Sequence, residues 1–191
     1  MRHQLIKNKL FIENRKRLAK LLAPKSLAVL NANDVLPTNA DGTLVMQPNA
    51  DLFFLSGIEQ EESILLIFPE AAEEKNREIL FLREPNDHLK IWEGHKHTKA
   101  EAKKISGIKN VQWLSAFPMM FRALMCEAEA AYLNSNEHKR AVVEVETRDA
   151  RFTRQCRRDF PLHDYRRLAP LLHQLRVVKT NLELELLKEA V

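Results

Sequence analysis

The chain has 191 residues, of which 45% are hydrophobic and 29% are charged, a composition typical of a globular protein with one domain and at most a short extra piece. Its 30 basic and 26 acidic residues give a net charge of +4, which favours nucleic-acid binding only weakly. No apolar run is long enough to span a membrane, and the basic N-terminus lacks the apolar stretch of a signal peptide.

The first part of the chain predicts a helix, a strand and a polar loop. Residues 9–22 have apolar side chains on one face of a helix and basic side chains on the other. The basic residues placed on the solvent face are Arg15, Lys16, Arg17 and Lys20. Residues 26–31 are an apolar run of strand length, and residues 33–41 are rich in Asn, Asp, Pro and Thr, as loops are.

A polar turn followed by two aromatic residues and a glycine occupies residues 47–57. The Asn49 side chain can accept hydrogen bonds from the free N–H groups of a first helical turn, and Gly57 can end that turn in a left-handed conformation. The side chains expected to face the core are Leu52, Phe53 and Leu55. The stretch therefore predicts a short, capped helix that leads into the next strand.

Two unbroken apolar runs follow, at residues 63–69 and 79–83. Runs of this kind are typical of strands that are buried on both faces of a sheet. Because the polar connection between them is short, we expect the two strands to pair antiparallel.

The second half of the chain continues the alternation of helices and strands. Thr98 and Glu101 form a capping-box pattern at the start of a helix that Gly107 ends. The remaining predicted elements are strands at 111–114 and 131–134, a helix at 115–128, a solvated loop and basic helix within 137–159, a helix at 168–175 with Pro170 in its first turn, an extended segment at 177–179, and a helix at 182–191 capped by Asn181. This order predicts an α/β fold with a mixed β-sheet flanked by helices.

Common catalytic motifs are absent from the sequence. The two cysteines, Cys126 and Cys156, form no CxxC pair, so we expect two free thiols in a reducing cytoplasm. With only four glycines, the chain has no phosphate-binding loop and no serine-nucleophile motif. The residues alone predict no self-sufficient active site.

A histidine pair is one candidate metal site. His95 and His97 are two residues apart, a spacing that suits one metal ion on an extended chain, and His88 is nearby. No ligand framework surrounds them in the sequence. A solvent-exposed loop is therefore the favoured interpretation, and a metal site is the alternative.

An arginine stripe is a candidate nucleic-acid interface. Its members recur every three or four residues of a predicted helix: Arg148, Arg151, Arg154, Arg157 and Arg158. Such a stripe can bind nucleic acid non-specifically. The favoured interpretation is a solvated face or domain interface, with the arginines paired to Glu144, Glu146, Asp149 and Asp159.

Asp41 and Trp92 lie in polar stretches of the chain. A tryptophan in such a place is a recognition surface as often as a core anchor, because it combines apolar bulk with one N–H donor. The residues alone leave both roles open.

Three stretches of the chain resemble motifs of one known family. The first is Asn49-Ala50-Asp51-Leu52-Phe53-Phe54-Leu55-Ser56-Gly57, followed by an acidic turn and an apolar strand. The second is Ile91-Trp92-Glu93-Gly94. The third runs from His173 to Glu183 and resembles the linker pattern Arg-x-x-Lys-Ser/Thr-x-x-Glu. Together they resemble the N-terminal domain of Xaa-Pro aminopeptidases (aminopeptidase P), in the creatinase–prolidase family of metallopeptidases.

The resemblance implies a ribonuclease H-like α/β domain over residues 1–175. Residues 176–191 are then expected to be the linker and first helix of a catalytic domain that lies beyond this chain. The last helix stops in mid-pattern, as that arrangement implies.

The resemblance also implies a function for the parent protein, which is the removal of an N-terminal residue that precedes proline. Two divalent metals, most commonly manganese, are expected in the catalytic domain, and no catalytic residue, metal ligand or cofactor in this chain. The expected partners are the catalytic domain, further copies in a dimer or tetramer, and a peptide with a penultimate proline, with no nucleic acid or membrane. Asp41 and Trp92 match family positions near the substrate, across the subunit contact. The alternative is a non-enzymatic interaction module of the same fold.

Overall fold

A computed structural model describes residues 6–86 and 94–189 of the chain. The helices are Lys9–Ala19 (α1), Ala50–Ser56 (α2), Lys99–Ser106 (α3), Phe117–Glu127 (α4), Arg148–Asp159 (α5), Ala169–Val177 (α6) and Asn181–Glu189 (α7), with short 3₁₀ turns at Glu74–Asn76 and Leu114–Ala116. The strands are Ser26–Asn31 (β1), Ile64–Ile67 (β2), Glu78–Leu82 (β3), Asn110–Trp113 (β4), Ala130–Leu133 (β5) and Asp164–Arg167 (β6).

The strands form one six-stranded mixed sheet in the order β4-β3-β2-β1-β5-β6. The β1–β2 and β2–β3 pairs are antiparallel, and the other three pairs are parallel. Helices flank this sheet, so the predicted fold class and the predicted antiparallel pair are both confirmed.

The central strands are buried on both faces, because their side chains alternate between two cores. Leu30 and Leu65 face one core, which α1, α2, α3 and α6 complete. Val29 and Leu66 face the other core, which α4 and α5 complete. Because both faces are buried, the central strands consist of continuous apolar runs in the sequence.

Several predictions of local structure were incomplete or wrong. Strand β6 was missed because its sequence, Asp-Tyr-Arg-Arg, is charged, as the outermost strand of a sheet can be. Val177 belongs to α6 rather than to an extended segment. The side chain that caps α7 is Thr180, whose Oγ1 accepts from the Glu183 N–H at 3.3 Å, so the predicted cap at Asn181 is one residue too late. Phe53 is only half-buried and packs edge-on against the Phe11 ring, 5.9 Å between centroids.

The prediction for Arg15 is also wrong, because its side chain is fully buried. The guanidinium Nη1 donates to the main-chain carbonyls of Leu55 (2.7 Å) and Ser106 (3.0 Å), which are in the last turns of α2 and α3. Nε donates to the Glu78 carboxylate on β3 at 2.9 Å. The run of basic residues in the sequence does not indicate that one of them, Arg15, donates hydrogen bonds to buried main-chain carbonyls.

The two helices that Arg15 joins end in the same way, at Ser56-Gly57 and Ser106-Gly107. In each, the serine Oγ donates to a carbonyl four residues earlier at 2.7 Å, and the glycine has a positive φ, 69° and 73° respectively. A Cβ on Gly57 would lie 2.3 Å from the Phe11 ring. The glycines are therefore needed both for the left-handed turn and for the close approach of α1.

The described residues contain no helix that is both long and apolar enough to cross a membrane. Both cysteines are free thiols; Cys126 is exposed, and Cys156 lies on the buried face of α5.

We predict that Arg15→Met destabilises the chain strongly, although methionine keeps the apolar stem. The change removes a buried charge and leaves two helix-end carbonyls without a donor, at a cost of about 3 kcal/mol. The exposed neighbour gives a matched control, since Lys16→Met should change stability by less than about 0.5 kcal/mol. Urea unfolding of both variants checks this, and equal stabilities would contradict the assigned role of Arg15.

Candidate functional site

A polar cleft lies where the parallel strands β1 and β5 end. It has a volume of about 670 Å³ and is lined by the segments that follow the two strands and by the starts of α2 and α5. In open α/β sheets, ligands bind beyond the carboxyl ends of the strands. The cleft is therefore the candidate site that this fold provides.

One wall of the cleft carries a partly buried acid, Asp149, in the first turn of α5. Its Oδ1 accepts a hydrogen bond of 2.8 Å from Asn31 Nδ2 at the end of β1. Burial raises the pKa of Asp149 to about 6, while the Asn31 hydrogen bond and the Arg148 charge act in the opposite direction. The carboxyl group therefore titrates close to neutral pH.

A second acid, Asp51, joins two distant parts of the chain at the cleft. Its Oδ1 accepts from Arg176 Nη1 at 2.7 Å, and its Oδ2 accepts from Asn134 Nδ2 at 3.1 Å. The Arg176 guanidinium also lies 5.6 Å from the centre of the Phe54 ring. The first and third sequence motifs therefore meet directly in the folded chain.

Local capping holds Asp51 in this position. The Asn49 side chain accepts from the N–H groups of Asp51 and Leu52, both at 3.0 Å, as predicted. Asn49 Nδ2 in turn donates to Asn33 Oδ1 at 3.1 Å, which ties α2 to the loop after β1. The cap thus fixes both the start of the helix and one rim of the cleft.

Asp41 lies at the tip of a small hairpin in that loop. The hairpin is closed by the Thr38 N–H to Gly42 carbonyl bond (2.8 Å) and the Leu44 N–H to Leu36 carbonyl bond (2.9 Å). Leu36 and Leu44 line the cleft, and Asp41 is exposed at the tip. Trp92 lies outside the described residues, so the structure does not relate it to Asp41.

The arginines of α5 are mostly paired within the domain. The contacts are Arg151 with Asp34, Arg154 with Glu146, Arg158 with Asp159, Arg148 with the Glu62 carbonyl, and Arg157 over the Tyr165 ring. Two of the four expected acidic partners, Glu146 and Asp159, therefore do pair with the stripe. Asp149 instead accepts a hydrogen bond from Asn31.

A histidine–carboxylate cluster lies at the start of α3. His95 Nε2 is 3.3 Å from Glu101 Oε1, and ligand atoms of His95, His97 and Glu101 all lie within 4.8 Å of one another. Partial burial lowers the pKa of His97, and the Thr98 hydrogen bonds lower the pKa of Glu101. The sequence pattern indicates the two histidines as possible ligands but not Glu101, because a capping-box glutamate already has an evident structural role.

A family model described as "Aminopeptidase P, N-terminal domain" matches residues 11–133. The chain belongs to this family.

Individual relatives agree with that assignment. The chain is 23% identical over 176 residues to intermediate cleaving peptidase 55 of Schizosaccharomyces pombe, covering 92% of this chain and 36% of the relative. A putative aminopeptidase P from Bacillus anthracis superposes with a TM-score of 0.83 at 28% identity, covering 96% of this chain and 43% of that one.

Aminopeptidase P of Escherichia coli has the same fold. Its structure with the inhibitor Pro-Leu gives a TM-score of 0.74 at 22% identity, and its zinc-substituted form with product gives 0.74 at 21% identity. In both cases the match covers 98% of this chain and 42% of the other. This aminopeptidase P N-terminal domain therefore spans about two fifths of the length of the relatives that it matches.

We predict that Asp149 makes the stability of the aminopeptidase P N-terminal domain fall as pH rises. Its folded pKa of about 6 exceeds the ordinary value of 3.8, so the folded state binds more protons between these values and loses stability as they dissociate. The stability of Asp149→Asn relative to the unchanged chain should then rise by about 1 kcal/mol between pH 5 and pH 7.

Asp159→Asn is the matched control for this titration. Its hydrogen bond from Arg158 lowers the pKa of Asp159, so the stability that this pair contributes is complete above pH 3.8. Urea unfolding across pH 5 to 7 should give a flat difference for Asp159→Asn and a rising one for Asp149→Asn. If the stability of both variants relative to the unchanged chain were independent of pH over this range, the raised pKa of Asp149 would be contradicted.

Proposed function

We propose that the chain is the N-terminal domain of a metal-dependent Xaa-Pro aminopeptidase, which removes an N-terminal residue that precedes proline. In this proposal the domain controls substrate access and assembly, and a separate catalytic domain performs the hydrolysis. The observation that carries it is the family match over residues 11–133. Direct contact between Asp51 and Arg176 supports it, because it joins two of the motifs in which the chain resembles the family.

We propose that the domain boundary lies between residues 175 and 176. Leu175 is buried in the core beside α1, and its carbonyl accepts from Arg17 Nη2 at 2.8 Å. Beyond it the chain presents apolar side chains to solvent: Val177, Val178, Leu184 and Leu187. None of the described residues of α7 is buried. Residues 176–191 are therefore suited to pack against a further domain as a linker and first helix.

The metals of the reaction belong, in this proposal, to the catalytic domain. Among residues 6–86 and 94–189, one group of three or more possible ligands is close enough to hold a metal, and it is His95, His97 and Glu101. A hydrolytic site with two metals needs more ligands than three, so these residues do not fit it. We therefore assign no hydrolytic step to this chain. We propose that the catalytic domain binds two divalent metal ions, and manganese is the metal that we expect.

Asp41 and Trp92 are the proposed contacts with the substrate region of a neighbouring subunit in a homo-oligomer. Asp41 suits this role because the hairpin carries its carboxylate to an exposed tip beyond the cleft. A carboxylate there can accept hydrogen bonds from a neighbour or from a peptide amine.

Peptide hydrolysis tests the proposal directly. The 191-residue chain and the longer gene product that includes the downstream segment are each incubated with Mn²⁺ and a tripeptide whose second residue is proline. A tripeptide with alanine in that position is the control. We predict that the longer product releases the first residue only from the proline peptide, and that the chain alone releases none.

Two results would contradict this assignment. Cleavage by the chain alone would place the catalytic residues within it. An inactive longer product without the metal ligands of the family would instead favour the interaction module of the same fold.

A further inference from the structure

The histidine–carboxylate cluster lies outside the polar cleft and has no part in the proposed hydrolysis. His95 and His97 flank Lys96 in the segment before α3, and their rings meet edge to face with 5.8 Å between centroids. Glu101 comes from the first turn of α3 and places Oε1 3.3 Å from His95 Nε2. Three side chains from one short stretch thus place possible ligand atoms within 4.8 Å of one another.

Hydrogen bonds hold the carboxylate and the His97 backbone in place. Glu101 Oε2 accepts from the Thr98 N–H at 2.8 Å and from Thr98 Oγ1 at 2.9 Å, which leaves Oε1 on the histidine side. The His97 N–H donates to Gln60 Oε1 at 2.7 Å. Such partners orient the ligands of metal sites before the ion binds.

The surroundings of the cluster are compatible with a cation. The Lys96 ammonium, which lies between the two histidines in sequence, pairs with the Glu61 carboxylate at 2.5 Å. His97 is half-buried, whereas the His95 side chain is 64% exposed and can turn toward an ion. The exposed side also leaves room for water to complete the coordination.

We propose that His95, His97 and Glu101 form a binding site for a single Zn²⁺-like divalent cation. Two imidazoles and one carboxylate are a ligand set that Zn²⁺ accepts, with water in the fourth position. Ni²⁺ and Cu²⁺ bind the same donors, whereas Mg²⁺ prefers a shell of oxygen ligands. The ion would join the segment before α3 to the first turn of that helix, independently of any metal in a catalytic domain.

Calorimetric titration of the 191-residue chain with Zn²⁺ tests the site, with Mg²⁺ as the comparison ion. The test variants are His95→Ala, at an exposed position, and Glu101→Gln, which preserves the capping box because glutamine also serves there. The control is His138→Ala, an exposed histidine far along the chain. Circular dichroism shows whether each variant is folded.

We expect one Zn²⁺ per chain for the unchanged protein and for His138→Ala, with no comparable binding of Mg²⁺. Both test variants should weaken Zn²⁺ binding by more than about tenfold. The proposal is overturned if the unchanged chain binds no Zn²⁺, if His138→Ala weakens binding as much as the test variants, or if either folded test variant keeps the affinity of the unchanged chain.

Discussion

The arrangement of the helices on one face of the sheet depends on the hydrogen bonds of the buried Arg15 guanidinium. It joins α1 to the carbonyl ends of α2 and α3 and to Glu78 on β3. A cation is favourable there because the C-terminal ends of both helices carry partial negative charge. Helix α2 also carries Asp51, which contacts Arg176 at the rim of the cleft. The hydrogen bonds of Arg15 therefore also help to position that rim.

The elements that the sequence predicted well are those specified by neighbouring residues. Strand β1, the Asn49 cap and the Thr98–Glu101 capping box were all expected from local patterns, and the structure contains each of them. The features that were missed depend on residues far apart in the chain. The burial of Arg15 requires two helix ends from elsewhere in the chain. The raised pKa of Asp149 results from its burial in the folded chain, which outweighs the opposing effect of the hydrogen bond from Asn31, 118 residues away.

The proposed function divides the work between two parts of a longer protein. The described residues contain too few clustered ligands for a two-metal centre, yet they bring two family motifs into contact at one edge of the sheet. An exposed hairpin extends from the same edge and carries Asp41. We propose on this basis that the domain shapes and covers a substrate site that a separate catalytic domain provides.

Mixed oligomers of the full-length parent test that division most directly. One subunit would carry Asp41→Ala and Trp92→Ala, and the other would have an intact N-terminal domain but lack one metal ligand of its catalytic domain. We predict that each preparation alone cleaves the proline peptide poorly and that mixing them after dissociation restores activity, because each active site then draws on two chains. The absence of any recovery, or full activity of the Asp41→Ala, Trp92→Ala protein alone, would contradict the proposed role of this domain.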